Sequence, residues 1–434
     1  MSLPRYPEYK ESGVNWLGPV PGHWAVQRLG YHFAERREKV SDEDFAPLSI
    51  TRNGVVPQLE HVAKTDDGAN RKKVCRGDFV INGRSDRKGS SGASDYDGSC
   101  SLINIVLVPG PEIDIRFAHH LLRSVPFQEE FYRYGKGIVA DLWSTNFSEM
   151  KNISLAVPPM VEQRVIATFL DRETAKIDAL IAEQEKLLAL LAEKRQATIS
   201  HAVTRGLNPN APMKDSGIPW LGEVPAHWRV TKCGRFLSVL SGYAFPSAGF
   251  DHNGNGTKLL RGVNVSVGSL RWDDVVYWER STDDGLDEYE LQVGDLVIGM
   301  DRPLIAAGMR VAKVKEEDVP CLLLQRVALL RTSSELNSDF LMHWLSTPMF
   351  VAHFSPETTG VSVPHISPDQ IASFVIALPP NDEQRKIIEF LDEELGRLTR
   401  LCWQSEQAVQ LLKERRSALI SAAVTGKIDV RHAA

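Results

Sequence analysis

The chain has 434 residues, 43% of them hydrophobic and 24% charged, with 50 Lys and Arg against 56 Asp and Glu. That length exceeds one ordinary core, so two or more domains are expected. A net charge of −6 excludes a grip on nucleic acid through an overall positive field, so any such role needs local patches or partner subunits. No apolar run is long enough to cross a bilayer, and the opening MSLPRYPEYK lacks the apolar core of a signal peptide. The five cysteines are scattered, without a CxxC pair or clustered histidines, so neither a disulfide framework nor a metal site is expected. A reducing cytoplasm suits that composition.

In chain order, residues 9–30 carry a Trp-, Pro- and Gly-rich motif, W-L-G…P-x-H-W, that returns at 213–234, an offset of 204. Trp16-Leu17-Gly18 and His23-Trp24 match Trp220-Leu221-Gly222 and His227-Trp228. The motif reads as a packed irregular anchor between each body and a helix, with His23 and His227 structural. A body of short strand-like runs follows (FAPLSI, DFVING, LINIVLVP), then a helical stretch from Ile115. The second body has the same order, with DLVIGMD, CLLLQRVALLR and a helical SDFLMHWLSTPMFVAHF. Gly77-Asp78-Phe79-Val80-Ile81 matches Gly294-Asp295-Leu296-Val297-Ile298. The two bodies therefore read as mixed strand-and-helix domains of one fold that share few residues.

Residues 155–207 recur at 376–428, without a gap, at an offset of 221. Pro158-Pro159, Glu162-Gln163-Arg164 and Phe169-Leu170-Asp171 return as Pro379-Pro380, Glu383-Gln384-Arg385 and Phe390-Leu391-Asp392. Such a repeat is the first feature to settle, because missing it mistakes the whole fold. Each copy predicts one long helix that starts at its Pro-Pro pair. Apolar residues recur every three or four positions, as a coiled-coil seam requires: Ile177, Leu180, Leu187 and Leu191 in one copy, and Leu398, Leu401, Leu412 and Leu419 in the other. About 43 residues make a rod of roughly 65 Å, which cannot bury its stripe alone. The expected boundaries are a first body at 1–157, a helix at 158–208, a second body at 209–378 and a helix at 379–434.

The strongest local signal is basic. Arg71, Lys72, Lys73, Arg76, Arg84, Arg87 and Lys88 stand against Asp78 and Asp86 alone between 71 and 88. The run ends in a Gly/Ser loop that includes Ser90. Short side chains let a backbone approach phosphates, and arginine can pair with guanine O6 and N7. A solvated basic loop is the bland reading. The matching loop of the second body keeps an Asp301-Arg302 pair without the charge. Arg52 with Asn53, Tyr243 with Phe245, Lys258, Arg261, Asn264 and His365 are further candidates. Asparagine reads adenine, and aromatics stack on bases or wedge between steps. For each of these, a place on the surface or in the core is an equal reading.

The absences point the same way. There is no phosphate-binding GxxxxGK[ST] loop, so no ATP motor is expected. VPPM and LPPN lack the residues that flank the prolines in amino-methyltransferases. No Ser/His/Asp or Cys/His arrangement stands out, so no catalytic residues are expected.

Over its full length the chain resembles the specificity subunits of type I restriction–modification systems. The resemblance rests on the W-L-G…P-x-H-W motifs, GDFVI and GDLVI, and the duplicated PP…EQR…FLD…EKR/ERR…AVT helices. It implies an α+β protein of two tandem target recognition domains, separated by two long helices that pair as an antiparallel coiled coil with pseudo-two-fold symmetry. It implies a non-catalytic reader of a bipartite, asymmetric double-stranded DNA site. Two methylation subunits would bring S-adenosylmethionine, and restriction/translocase subunits would bring ATP and Mg. The competing readings are a complete methyltransferase or nuclease, which the absent motifs disfavour, and a coiled-coil adaptor that does not read DNA.

Overall fold

A computed structural model describes residues 4–58, 68–137, 143–305, 308–358 and 365–433, with side chains at 355–358 outside the description. The chain divides into two compact units. Unit 1 comprises residues 1–185 and 406–434, and unit 2 comprises residues 186–405. The division runs through both long helices, Met160–Arg205 and Asn381–Val424. Each unit is therefore one body, the first half of the helix that follows it, and the last half of the other copy's helix. The four consecutive segments expected from the sequence are thus regrouped.

In unit 1 a four-stranded sheet has the order Ser91–Ala93, Phe79–Asn82, Asn104–Pro109, Phe33–Glu35, with every pair antiparallel. In unit 2 the order is Val311–Lys313, Leu296–Gly299, Val327–Thr332, Leu237–Ser241, again antiparallel. The order of this sheet is the same strand for strand, so the two bodies share one framework, although the three-stranded sheet beside it is all antiparallel in unit 1 and has a parallel pair in unit 2. The repeated Gly-Asp explains part of this. Gly77 and Gly294 take φ of +88° and +95°, a turn that suits glycine. Asp78 then accepts from the Cys75 amide and pairs with Arg36 at 2.8 Å. Asp295 accepts from the Gln292 amide and pairs with Arg331 at 2.9 Å. Each carboxylate closes the turn that starts a fully buried strand.

The duplicated helix starts bind each body to its helix. The Gln163 side chain donates to the Glu112 and Pro158 carbonyls and accepts from the Asp114 amide. Gln384 repeats this with Glu335, Pro379 and Asn337. Asp114 and Asn337 are themselves N-caps of the helices Ile115–Arg123 and Ser338–Leu345, where a side-chain oxygen satisfies exposed amides. Trp24 and Trp228 are completely buried. Each packs against the left-handed glycine that ends the other copy's helix, Trp24 against Gly426 (φ +70°) and Trp228 against Gly206 (φ +72°). His23 and His227 lie 2.7 Å from Glu162 and Glu383. The opening motif is the expected anchor.

The paired helices run antiparallel within each unit. In unit 1 Arg416 meets Asp178 at 2.8 Å and Lys413 meets Glu185 at 3.8 Å, so one helix ascends as the other descends. In unit 2 Arg195 donates to Thr399. Ile177, Leu191 and Leu398 are buried, and Leu412 and Leu419 are half-buried. Leu180, Leu187 and Leu401 are exposed by 53, 41 and 42%, which corrects the expected seam. A helix advances about 100° per residue, so leucines three or seven apart drift around it, and only part of the apolar set meets a neighbour. The second helix also stops short of the expected 434. It ends at Val424, and the tail turns back so that Val430 is buried in the unit 1 core and Asp429 donates its amide to the Pro4 carbonyl.

Candidate nucleic-acid interface

The basic run of unit 1 divides into an inner and an outer set. In the strand Arg71–Val74 the end residues are buried and Lys72 and Lys73 are half-buried. Arg71, expected on a reading surface, is buried, and its guanidinium donates to the Ser99 hydroxyl at 2.8 Å. Lys72 is held by Glu35 and the Asn104 carbonyl, and Lys73 by Glu38 and the ring of Phe45. These cations are each engaged by groups of their own body. The outer set lies on the loop between Phe79–Asn82 and Ser91–Ala93. Arg84 and Arg87 are exposed there, and the only salt bridge of Arg87 among the described residues is a 3.5 Å contact with the adjacent Asp86. Lys88 pairs with the exposed Glu129, and Arg52 donates to the Lys88 carbonyl. Ser90 is buried at the base of the loop.

Two clefts flank this loop. One, of about 510 Å³, is lined by Arg52, Arg71, Asn82, Arg87, Ser90 and Asn104 among others. The other, of about 580 Å³, includes Arg37, Lys39, Lys72 and Arg84. Side chains 50 residues apart in sequence thus share one cation-lined surface, suited to phosphate oxygens.

In unit 2 the candidates separate differently. Asn264, expected to read a base, is buried; its side chain accepts from the Arg261 amide and donates to the Arg271 and Asp274 carbonyls. Arg261 pairs with Asp274 at 2.7 Å. Lys258 donates to the Glu317 carbonyl and lies over the Trp272 ring. These three groups hold a turn. Phe245 is buried, and the exposed Tyr243 stacks edgewise on it.

Arg326 and His365 come together around Asp301, and Arg302 follows it in the chain. His365 Nδ1 lies 2.7 Å from the carboxylate, and Arg326 pairs with its other oxygen. Burial alone would raise the Asp301 pKa, but the bonds from Arg326 and His365 outweigh it and hold the carboxyl below its ordinary value. Arg302 and Arg326 both adopt left-handed backbones, with φ of +43° and +69°. That is uncommon for residues with a side chain and is found at functional sites. Arg326 was missed in the sequence because it sits within an apolar run, CLLLQRVALLR, without a cluster of charges around it.

The architecture defines a class. It is a duplicated protein whose two bodies share the strand order of a four-stranded sheet, bear unlike surface residues, and are clamped by near-identical helix starts. Residues 227–407 match the family model of the type I restriction modification DNA specificity domain. The chain is 32% identical over 240 residues to the type I restriction enzyme EcoAI specificity subunit of Escherichia coli, a match that covers 55% of this chain and 40% of that protein. It is 26% identical over 426 residues to the MjaVIII specificity subunit of Methanocaldococcus jannaschii, which covers 95% of each. Among solved structures, a chain from work on assembly and conformational transition of a type I R-M system gives a TM-score of 0.67 at 18% identity, covering 93% of this chain and 98% of that one. The HsdS subunit from Thermoanaerobacter tengcongensis gives 0.56 at 19% identity, covering 94% and 98%. The solved structures establish the fold. Residues 227–407 match the family model, and the chain is similar to the specificity subunits of type I restriction–modification systems.

Proposed function

We propose that this chain is the non-catalytic DNA-recognition subunit of a type I restriction–modification complex. Each unit reads one half of a bipartite site, and because the two surfaces differ, the half-sites differ and the whole site is asymmetric. The observation that carries this reading is one strand order in the four-stranded sheets of both bodies, combined with cation-lined loops in unit 1 and an Asp301–Arg326–His365 cluster in unit 2. Arg52, Arg84, Arg87 and Lys88 are then contacts to the unit 1 half-site, and Tyr243, Arg302 and His365 contacts to the other. Methylation subunits supply S-adenosylmethionine, and restriction subunits supply ATP and Mg. These partners also supply the positive charge that a chain of net charge −6 lacks. The complex acts in the cytoplasm, where its DNA is. Among the described residues, no helix is long and apolar enough to cross a membrane.

The test is co-expression with a type I methylation subunit from the same source, followed by mapping of methylated bases in host DNA. Two unlike half-sites at a fixed spacing are expected, together with no methyl transfer by the purified chain alone. Methylation that does not depend on this chain would leave the coiled-coil adaptor reading. Transfer by the chain alone would make it an enzyme.

A further inference from the structure

Both bodies place a tight turn at the centre of the surface just described. In unit 1 it joins strands Gly98–Cys100 and Asn104–Pro109, closed by the Asn104 amide and side chain, both donating to the Ser101 carbonyl. Its central residues are Leu102 and Ile103, exposed by 39 and 43%. Such positions favour Gly, Pro, Asn, Asp and Ser, which bond locally or accept the geometry. Leucine and isoleucine offer neither, and exposed as they are, they bury little here. A local rule broken without a structural return marks a functional position.

Ile103 lines both cation-lined clefts, with Arg52 and Arg87 to one side and Arg84 and Lys39 to the other. Backbone fixes the tip, because a Cβ on Gly83 would stand 2.7 Å from the Thr145 carbonyl oxygen and 3.4 Å from that of Ile103. An apolar tip between cations suits a duplex whose phosphates are held on both sides while a base edge meets the middle.

The equivalent turn of unit 2 joins Cys321–Leu323 to Val327–Thr332, closed by the Val327 amide on the Leu324 carbonyl. Its central residues are Gln325 and Arg326, both exposed. A Cβ on Gly242 would stand 2.3 Å from the Leu324 carbonyl oxygen, so this turn too is set by backbone packing. The Gln325 amide donates to the carbonyl of Tyr243, and Arg326 is aligned by Asp301 beside His365. One position in the fold therefore carries an apolar pair in one unit and an amide–guanidinium pair in the other.

We propose that this turn is the base-reading tip of each unit: Leu102 and Ile103 read thymine through its 5-methyl group, and Gln325 and Arg326 read purine edges through hydrogen bonds. Apolar side chains distinguish thymine by that methyl, whereas Gln pairs with adenine and Arg with guanine. The inference rests on the DNA-reading function proposed above.

The test uses the complex of the full chain with its methylation subunit and the site it methylates. Each thymine of the site is replaced in turn by deoxyuridine, which removes only the methyl. The wild type is expected to lose affinity about three- to tenfold at one or two thymines of a single half-site, since a buried methyl is worth roughly that much. Leu102→Ala/Ile103→Ala should abolish this sensitivity and leave the other half-site unchanged. Gln325→Ala and Arg326→Ala should lower discrimination in that other half-site by about 5- to 150-fold. The tips are exposed, so unfolding midpoints of these variants should match wild type. Deoxyuridine without effect throughout, or tip variants with unaltered preferences, would overturn the inference. A wild-type complex with no sequence preference would instead sink the function on which it rests.

Discussion

Replacing Glu162 should destabilise its unit far more than replacing Glu383, although the two occupy the same place in the repeat. Glu162 is buried and accepts from the Tyr6 hydroxyl at 2.7 Å and from the Trp24 indole at 3.0 Å, and it contacts His23 at 2.7 Å. Burial first, and the carboxylate second, push the Tyr6 pKa upward, so its hydroxyl stays protonated and donates. Tyr6 and Trp24 are both buried. Glu162→Ala strands two buried donors at about 1–3 kcal/mol each, or about 2–6 kcal/mol together. The His23 contact adds little because that ring is half-exposed.

In unit 2 the Trp228 indole has no acceptor among the described residues, and Glu383 meets the half-exposed His227. Glu383→Ala should therefore cost under about 1 kcal/mol. A chain of two units need not unfold in one step, so the effect is best read locally, by hydrogen exchange. Peptides from 4–30 and 420–433 should lose protection in Glu162→Ala, while those from 213–232 change little in Glu383→Ala. Glu162→Gln keeps one acceptor oxygen and should recover part of the loss. Equal losses in the two alanine variants would refute the reasoning.

Gly426→Ala forces a side chain into φ +70° with its Cβ 2.3 Å from Pro21, so it should lower the unfolding midpoint by more than the about 1–2 kcal/mol of the backbone term. Gly13→Ala, at the same φ with nothing within 4 Å, should show the backbone term alone. Ile177→Asp buries a charge in the helix pair and should cost several kcal/mol in denaturant titration, whereas Leu187→Asp, on an exposed position, should stay within about 0.5 kcal/mol. Burial first, then Arg123 and His120, lower the His119 pKa to about 3. The unfolded chain takes up that proton from about pH 6.5 downward while the folded one does not, so this group's contribution to stability is whole above that pH and declines as pH falls toward 3. His119→Gln should flatten that part of the urea midpoint against pH; an unchanged slope would exclude His119 as its source.

Much of the scaffold was legible because repeated residues have repeated tasks. Glu-Gln at each helix start, Trp in each opening motif and the glycine after each helix all take up the same positions in the two units. The seam was only partly legible. Apolar spacing shows that a stripe exists, but which leucines face the partner depends on helix rotation, which tertiary contacts set, and so Leu180, Leu187 and Leu401 remain outside. The basic run misled for a related reason. Ser99, Glu35 and Glu38 engage Arg71, Lys72 and Lys73, a pairing between distant residues that charge counting does not reveal.

The positions that diverge lie on turns held by main-chain bonds, although Arg326 also pairs with Asp301, and that has a mechanical consequence. Gln163 and Gln384 each tie three backbone groups, so their loss would unsettle a helix start and a cap together. Leu102, Ile103, Gln325 and Arg326 have exposed side chains on turns held by main-chain bonds and by the close approach of Gly83 and Gly242. Exchange of a tip leaves those bonds in place and costs little stability. A recognition surface built this way can change its chemistry from apolar to hydrogen-bonding while the sheet order, the clamps and the helices beneath it stay as they are.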